Sequence, residues 1–248
     1  MNVKKILVSQ PQPSGNKSPY YDVARRHGVE VVFRPFIKVE GLTTREFRKQ
    51  RITLPDYTAV IFTARTAVDH YFRLCREMRF AVPDTQKYFC LSETIALYLQ
   101  KYIVYRKRKI FYSETGAIED LFPLLNKHHD AKFIMPVSEV HNDAKTRALD
   151  TLEGFSYVKS VMYRTVSNDF GDDEKFDYDM LILFTPAGVK SLLSNVPDIA
   201  ERDVVLGAMG DGTIAAMRDA GLEPRVVMSE EATSMPAAID RYLSSHNK

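Results

Sequence analysis

At 248 residues the chain suits one large domain or two small ones, and its 45% hydrophobic and 27% charged residues are those of an ordinary globular protein. A net charge of +2 is too near neutral for a dedicated nucleic-acid binder, and no apolar run approaches the ~20 residues that span a bilayer. Met1-Asn2-Val3-Lys4-Lys5 leads straight into Ile6-Leu7-Val8 without the apolar core and cleavage site of a signal peptide, so a cytoplasmic protein is expected, with neither nucleic acid nor membrane as partner.

The predicted elements alternate strand and helix along the chain. Short, nearly unbroken apolar runs predict strands at 5–8, 29–33, 59–62, 88–91, 109–112, 132–136, 157–162, 180–184, 204–209 and 224–227, as sheets covered on both faces require. Amphipathic stretches lie between them; in 66–78, Val68, Phe72 and Cys75 share one helical face. Gly28 and Gly221 each close a helix ahead of a strand. This alternation predicts an α/β protein of doubly wound, flavodoxin-like parallel sheets. The two cysteines, Cys75 and Cys90, stand in apolar surroundings and read as buried thiols. No Cys/His cluster has metal-ligand spacing, and adjacent residues such as His128-His129 point different ways, so no metal is expected. Arg106-Lys107-Arg108-Lys109 is either a solvated loop or a positive rim for an anionic ligand.

Two long extended stretches, 33–40 and 159–166, break the alternation, and Pro35 bars a helix or a central strand in the first. They occupy equivalent places in an internal repeat, with Lys38 opposite Arg164. Asp56-Tyr57 before Ala59-Val60-Ile61-Phe62 is answered by Asp177-Tyr178 before Met180-Leu181-Ile182-Leu183, and Thr94-Ile95-Ala96 by Thr213-Ile214-Ala215. The extended stretch after Gly28 is answered by the one after Gly154. The repeat boundary falls near residue 125, but the crossings fall near 37 and 163. The expected organisation is a discontinuous domain of 1–36 plus 167–248 and a second domain of 39–160. Linkers at about 34–39 and 159–166 would pair as a two-stranded ribbon. Each copy of the repeat is then split between domains, and a ligand is expected in the crevice between them, with Thr94 and Thr213 on opposite walls.

Ligands of open parallel sheets gather beyond the carboxyl ends of the strands, where helix N-termini present free N–H groups. The residues expected there are Ser9-Gln10, Thr63-Ala64-Arg65-Thr66, Ser92-Glu93-Thr94, Ser138, Thr185-Pro186-Ala187-Gly188 and Gly210-Asp211-Gly212-Thr213. Short hydroxyls and glycines leave backbone amides open to carboxylate or phosphate. Ser92, Thr94 and Thr213 could each equally cap a helix, but the same chemistry at four equivalent strand ends points to a ligand. The segment 207–213 lacks the Lys-Ser/Thr ending of a phosphate loop and a full G-x-G-x-x-G. No G-x-S-x-G elbow occurs, and Asp172-Asp173-Glu174 reads as a solvated loop. An enzyme built from this set works by positioning its substrate and stabilising charge.

In order and spacing, several of these segments resemble the uroporphyrinogen-III synthase family: Ile6-Leu7-Val8-Ser9-Gln10-Pro11, then 59–68, then Val161-Met162-Tyr163-Arg164-Thr165. Leu183-Phe184-Thr185-Pro186-Ala187-Gly188-Val189, then 209–215, then Ala232-Thr233-Ser234-Met235 complete the set. The resemblance implies two α/β domains joined by a two-stranded ribbon, a monomer, and no metal or organic cofactor. The implied substrate is hydroxymethylbilane, a linear tetrapyrrole bearing eight carboxylates. It is closed to uroporphyrinogen III with inversion of ring D and loss of water, through an azafulvene and a spiro intermediate. By the same resemblance, Tyr163 assists departure of the hydroxyl, Gly210 and Thr213 form a ligand loop whose first-half partner is Thr94, and Thr63, Arg65, Thr185 and Gly188 hold strand-end positions. The chain departs from the family pattern at Gln10, where many members carry arginine, at Leu91, where glycine is usual, and at Ala64, where serine is common. A non-catalytic two-lobed binding protein for a small anionic ligand is the alternative, and a nucleotide-dependent transferase a third.

Overall fold

Each apolar run becomes a strand because both of its faces are covered. The computed structural model describes residues 2–15, 17–141, 143–171 and 173–247; Asp172, read above as part of a solvated loop, lies outside them. The strands are β1 (Lys5–Val8), β2 (Glu30–Phe33), β3 (Ile37–Gly41), β4 (Ala59–Phe62), β5 (Lys87–Cys90), β6 (Ile110–Tyr112), β7 (Phe133–Ser138), β8 (Tyr157–Ser167), β9 (Met180–Leu183), β10 (Val205–Ala208) and β11 (Val226–Val227). The helices are α1 (Pro19–His27), α2 (Thr44–Arg48), α3 (Arg65–Glu77), α4 (Glu93–Tyr98), α5 (Phe122–Lys127), α6 (Pro186–Asn195), α7 (Asp211–Asp219) and α8 (Met235–His246). Gly28 (φ 63°) and Gly221 (φ 74°) take the left-handed turn that returns the chain to a strand. The chain divides into two units, Met1–Lys38 with Val166–Lys248, and Val39–Thr165.

In the first unit the strands lie in the order β11-β10-β9-β1-β2, all parallel. Renumbered within the unit, this is the flavodoxin-like order 2-1-3-4-5. Strict alternation splits the sheet between two cores. Ile6, Val8, Met180, Ile182 and Val205 pack with Val23 of α1 and Ile239 and Leu243 of α8. Their neighbours Leu7, Leu181, Leu183, Leu206 and Ala208 pack with Val189 and Leu192 of α6 and Met217 of α7. A slip of one residue in any of these strands would exchange its two faces.

In the second unit the order is β3-β8-β7-β4-β5-β6, with β8-β7-β4-β5-β6 parallel. If β7 and β8 are counted first and β4, β5 and β6 next, the order is again 2-1-3-4-5. The five parallel strands of each sheet therefore come two from one copy of the repeat and three from the other. Phe62 packs edge-on to Tyr71 of α3 and alongside Tyr88, whereas Phe89 points to the other face of the sheet and meets Phe111 and Phe133. Both cysteines are buried and free, and burial pushes Cys75 up to about 12 and Cys90 higher still.

The two extended stretches lie side by side as β3 and β8, and β8 also continues along β7. The strand expected at 157–162 and the crossing expected at 159–166 are one element, β8, and its first residues extend the sheet beside β7. Ser160 and Met162 alternate inward and are fully buried, which ties β8 to the sheet rather than to solvent. A register shift at Val137/Ser138 ends the regular pairing with β7, and β3 lies on the outer side of β8.

Candidate active site

In a sheet of this order the crevice opens where the winding reverses, between the strands that stand first and third. In the second unit those strands are β7 and β4. Beyond their carboxyl ends lies a cavity of about 260 Å³ lined by Thr63, Leu91, Met135, Val137, Ser138, Val140, His141, Asp143, Thr146 and Tyr163. Three residues expected from sequence, Thr63, Ser138 and Tyr163, come together here. Thr63 follows β4, and Ser138 ends β7 at the register shift, where it stands beside Tyr163 of β8.

Ser138 Oγ is buried without a hydrogen-bond partner among the described residues, a state that costs about 1–3 kcal/mol when nothing fills it. Its carbonyl accepts the Nδ1–H of His141 at 2.8 Å. Asp143 accepts from Lys159 Nζ through Oδ2 at 3.0 Å, and this lysine holds its carboxyl below the usual carboxylate range. Its other oxygen, Oδ1, is shielded from solvent and accepts no hydrogen bond from the described residues, although His141 Nε2 stands 3.4 Å away.

The Tyr163 ring stacks on His70 of α3, with centroids 5.1 Å apart and planes 18° from parallel. Burial raises the Tyr163 phenol above its ordinary value, so it stays protonated at neutral pH and can act as a hydrogen-bond donor. His70 Nδ1 accepts from Arg73 Nε at 3.2 Å, which places the imidazole proton on Nε2. Burial first, and Arg73 second, lower the His70 pKa. Arg73 also pairs with Glu77 at 2.8 Å and donates to the Leu42 carbonyl at 2.8 Å. Residues 70, 73 and 77 form a polar stripe at helical spacing, away from the buried Val68-Phe72-Cys75 face. That spacing is readable in sequence and was the available signal for a position that strand-end reasoning passes over. His141, Asp143 and Thr146 follow β7 in and beside short 3₁₀ turns and carry no comparable signal.

The other expected residues of this unit line the same sheet edge outside the cavity. Ala64 is the N-cap of α3. Arg65 is exposed, 5.5 Å from the Tyr98 ring centroid, with no ion pair among the described residues. Ser92 precedes α4 but bonds the Thr94 hydroxyl at 2.9 Å instead of capping the helix. Arg164, in contrast, is fully engaged by Glu40 and Glu46, at 2.8 Å each.

In the first unit, Ser9-Gln10 follow β1, Thr185-Pro186 follow β9, and Gly210 (φ 83°) precedes α7 after β10. Pro186 and Gly212 lie side by side, since a Cβ on Gly212 would stand 3.8 Å from Pro186 Cγ. Several groups expected to be free are not. Ser9 N–H donates to the Ile182 carbonyl at 3.1 Å, Gly188 N–H to Thr185 Oγ1 at 3.0 Å, and Thr213 N–H to the Gly210 carbonyl at 3.0 Å. Thr213 is also buried, whereas its counterpart Thr94 is exposed. The amides left at the mouth of α7 are those of Asp211 and Gly212, the first turn having no intrahelical acceptors.

The cation run at 106–109 precedes β6, at the amino ends of these parallel strands, with Arg106 and Lys109 turned to Asp84 at 3.3 and 3.7 Å. It does not rim the β4–β7 cavity.

A model of the family described as uroporphyrinogen-III synthase HemD matches residues 18–237. The chain belongs to that family. It is accordingly a lyase of tetrapyrrole biosynthesis, a uroporphyrinogen-III synthase. Among solved structures, the chain is similar to the uroporphyrinogen-III synthetase of Helicobacter pylori, at 17% identity over 98% of this chain and 100% of that one, with a TM-score of 0.57. It is also similar to the wild-type uroporphyrinogen III synthase of Thermus thermophilus, at 15% identity over 99% and 100% of the two chains, with a TM-score of 0.42. Comparison with curated proteins finds no match. No helix among the described residues is long and apolar enough to cross a membrane.

Proposed function

We propose that the chain closes hydroxymethylbilane to uroporphyrinogen III, inverting ring D and losing water, with the phenol of Tyr163 donating a hydrogen bond to the departing hydroxyl. The observation that carries this reading is the convergence of Thr63, Ser138 and Tyr163 on one cavity at the winding reversal of a parallel sheet. Strand-end residues hold the substrate's carboxylates: Thr63, Ala64, Arg65, Ser92, Thr94 and Ser138 in one unit, and Ser9, Gln10, Thr185, Pro186, Gly188, Gly210, Asp211, Gly212 and Thr213 in the other. For the buried Gly188 and Thr213 the contribution is to shape the loops. Arg65 is the strand-end cation with charge to spare. The protein acts in this reading as a cytoplasmic monomer without metal or organic cofactor.

The test is incubation of the purified protein with enzymatically generated hydroxymethylbilane, followed by oxidation and separation of isomers. Uroporphyrin III is the expected product; type I alone, which forms spontaneously, would refute the reading. Tyr163→Phe should lower turnover ~10- to 100-fold while shifting stability by no more than about 1 kcal/mol, since only one hydroxyl is lost. Unchanged turnover would remove Tyr163 from the mechanism.

A further inference from the structure

Among the described residues, the β4–β7 cavity holds an unpartnered hydroxyl, Ser138 Oγ, which can serve a ligand's carboxylate, and one feature that a carboxylate-binding site does not explain, the shielded acceptor oxygen Asp143 Oδ1. A carboxylate arm of a ligand brings no donor to Asp143 Oδ1, because an ionised carboxylate only accepts hydrogen bonds. A pyrrole ring offers the opposite chemistry, with one N–H donor on its edge and apolar faces. The rest of the lining suits such a ring, since Leu91, Val137 and Val140 are aliphatic. At about 260 Å³ the cavity is smaller than the ~300–1,000 Å³ that drug-sized ligands occupy, so it admits a portion of a tetrapyrrole and not the whole.

We propose that this cavity is the seat of the pyrrole ring that carries the reacting hydroxymethyl group, with Asp143 Oδ1 accepting its N–H and Ser138 Oγ hydrogen-bonding the same ring's substituents. The proposal rests on the synthase reading and names a group for its first step. When the hydroxymethyl C–O bond breaks, the oxygen leaves with the bonding pair. The pyrrole nitrogen supplies a replacement pair to the exocyclic carbon, so positive charge develops on the N–H. A fixed anion at that N–H stabilises the charge where it appears. The neutral azafulvene forms when the N–H proton is given up, and together with the hydroxide that left it makes one water, so nothing is oxidised or reduced. Asp143 touches the reacting ring and is a catalytic residue in this scheme. Lys159 Nζ stands 3.0 Å from Oδ2, is not among the residues lining the cavity, and takes no part in the step.

The experiment compares wild type, Asp143→Asn, Lys159→Met and Ser138→Ala in steady-state formation of uroporphyrinogen III, with melting temperatures recorded alongside. Asp143→Asn should lower kcat ~10- to 100-fold and leave KM within about threefold, because the charge acts on the breaking bond. If Asp143 served only to anchor Lys159, Lys159→Met would show the same loss; the proposal expects its kcat within about threefold of wild type. Ser138→Ala, which removes a hydroxyl with no protein partner, should melt no lower than wild type and raise KM ~5- to 10-fold. Asp143→Asn with kcat within threefold of wild type overturns the proposal. Equal losses in Asp143→Asn and Lys159→Met do so too. If Asp143→Asn does not fold, Ser138→Ala decides, and an unchanged KM overturns the ring seat. Type I product alone from wild type is a separate result, which refutes the synthase reading and not the assignment of Asp143 within it.

Discussion

His70 carries the ring against which Tyr163 lies, and its removal should cost catalysis a small, bounded factor. In His70→Ala the stacking partner at 5.1 Å disappears, while Arg73 keeps Glu77 and the Leu42 carbonyl. An aromatic pair of this geometry contributes about 0.5–1.5 kcal/mol beyond area. If that energy serves to hold the phenol in its reactive orientation, its loss lowers kcat by a factor of about 2 to 13, taking 1.36 kcal/mol per decade. His70→Phe restores a ring and should return kcat to within about twofold of wild type. The same residue makes a prediction for stability against pH. Its folded pKa lies below the unfolded 6.5, through burial and then Arg73, with Asp69 and Glu77 opposing. The unfolded chain therefore binds the proton more readily. The native state has its full stability above pH 6.5 and loses part of it as pH falls from 6.5 towards the folded pKa. Urea midpoints should accordingly fall more for wild type than for His70→Ala between pH 7 and pH 5, to the extent that His70 and not the similarly depressed His128 sets the slope. A kcat loss beyond 100-fold in His70→Ala would show that His70 itself meets the substrate. An unchanged kcat would show that the stack does not orient Tyr163. Either result refutes the positioning argument.

Arg34 is a strand-end cation already committed to the fold. It pairs with Glu174, donates to the Asn168 carbonyl at 2.9 Å and the Asp169 carbonyl at 2.9 Å, and lies 3.9 Å over the Phe170 ring. Arg34→Met should destabilise by about 2–4 kcal/mol, read as a fall in urea midpoint; less than 1 kcal/mol would deny that these contacts act together. Arg34 also holds the Glu174 carboxyl below 4.5, so this stabilisation is complete above pH 4.5 and is lost as pH falls through the folded value. The variant should show a flatter acid limb than wild type. Gly207 of β10 has no room for a side chain: a Cβ there would meet Ile182 Cδ1 at 2.5 Å and the Val226 carbonyl oxygen at 3.1 Å. Gly207→Val should cost about 1–3 kcal/mol in thermal unfolding. Ile182→Val should rescue only part of it, since the backbone contact remains; full rescue would place the whole clash on Ile182.

The strands were legible because doubly covered sheets demand apolar residues at every position, and runs such as Ala59–Phe62 and Met180–Leu183 have no other stable use. The ribbon was less so. An alternating stretch such as 157–167 reads equally as a strand and as an exposed crossing, and only the long-range pairing of Phe133–Val137 with Tyr157–Val161 decides it. Helix caps were left open for a related reason. Thr185 and Ser234 cap their helices, whereas Ser92, of the same type at the same kind of place, turns to Thr94. Propensity names the candidates for a cap; the rotamer that the fold permits chooses among them. Asp143 shows the limit most clearly. Nothing local distinguishes it from the other carboxylates, and its character comes from Lys159, sixteen positions away, and from a cavity closed by two further strands.

The duplication explains the shared strand order, and in the function proposed above the chemistry lies where the copies differ. The pairing of Lys38 with Arg164 sets Ile37 against Tyr163, so one copy carries a phenol and the other an aliphatic side chain at the same position. After β7 stands Ser138, with its hydroxyl unpartnered; after β1 stands Ser9, buried and bonded to the Ile182 carbonyl through its amide. Thr94 is exposed where Thr213 is buried. In each pair the polar or accessible member belongs to the second unit, which also holds the β4–β7 cavity. A tetrapyrrole repeats its ring and its charged arms four times, and a duplicated scaffold suits the holding of such a ligand. Only one of its rings carries the hydroxymethyl group. A catalyst that must act at one ring among four needs an asymmetry its scaffold lacks, and in the function proposed above the divergence at Tyr163 and Ser138 supplies it.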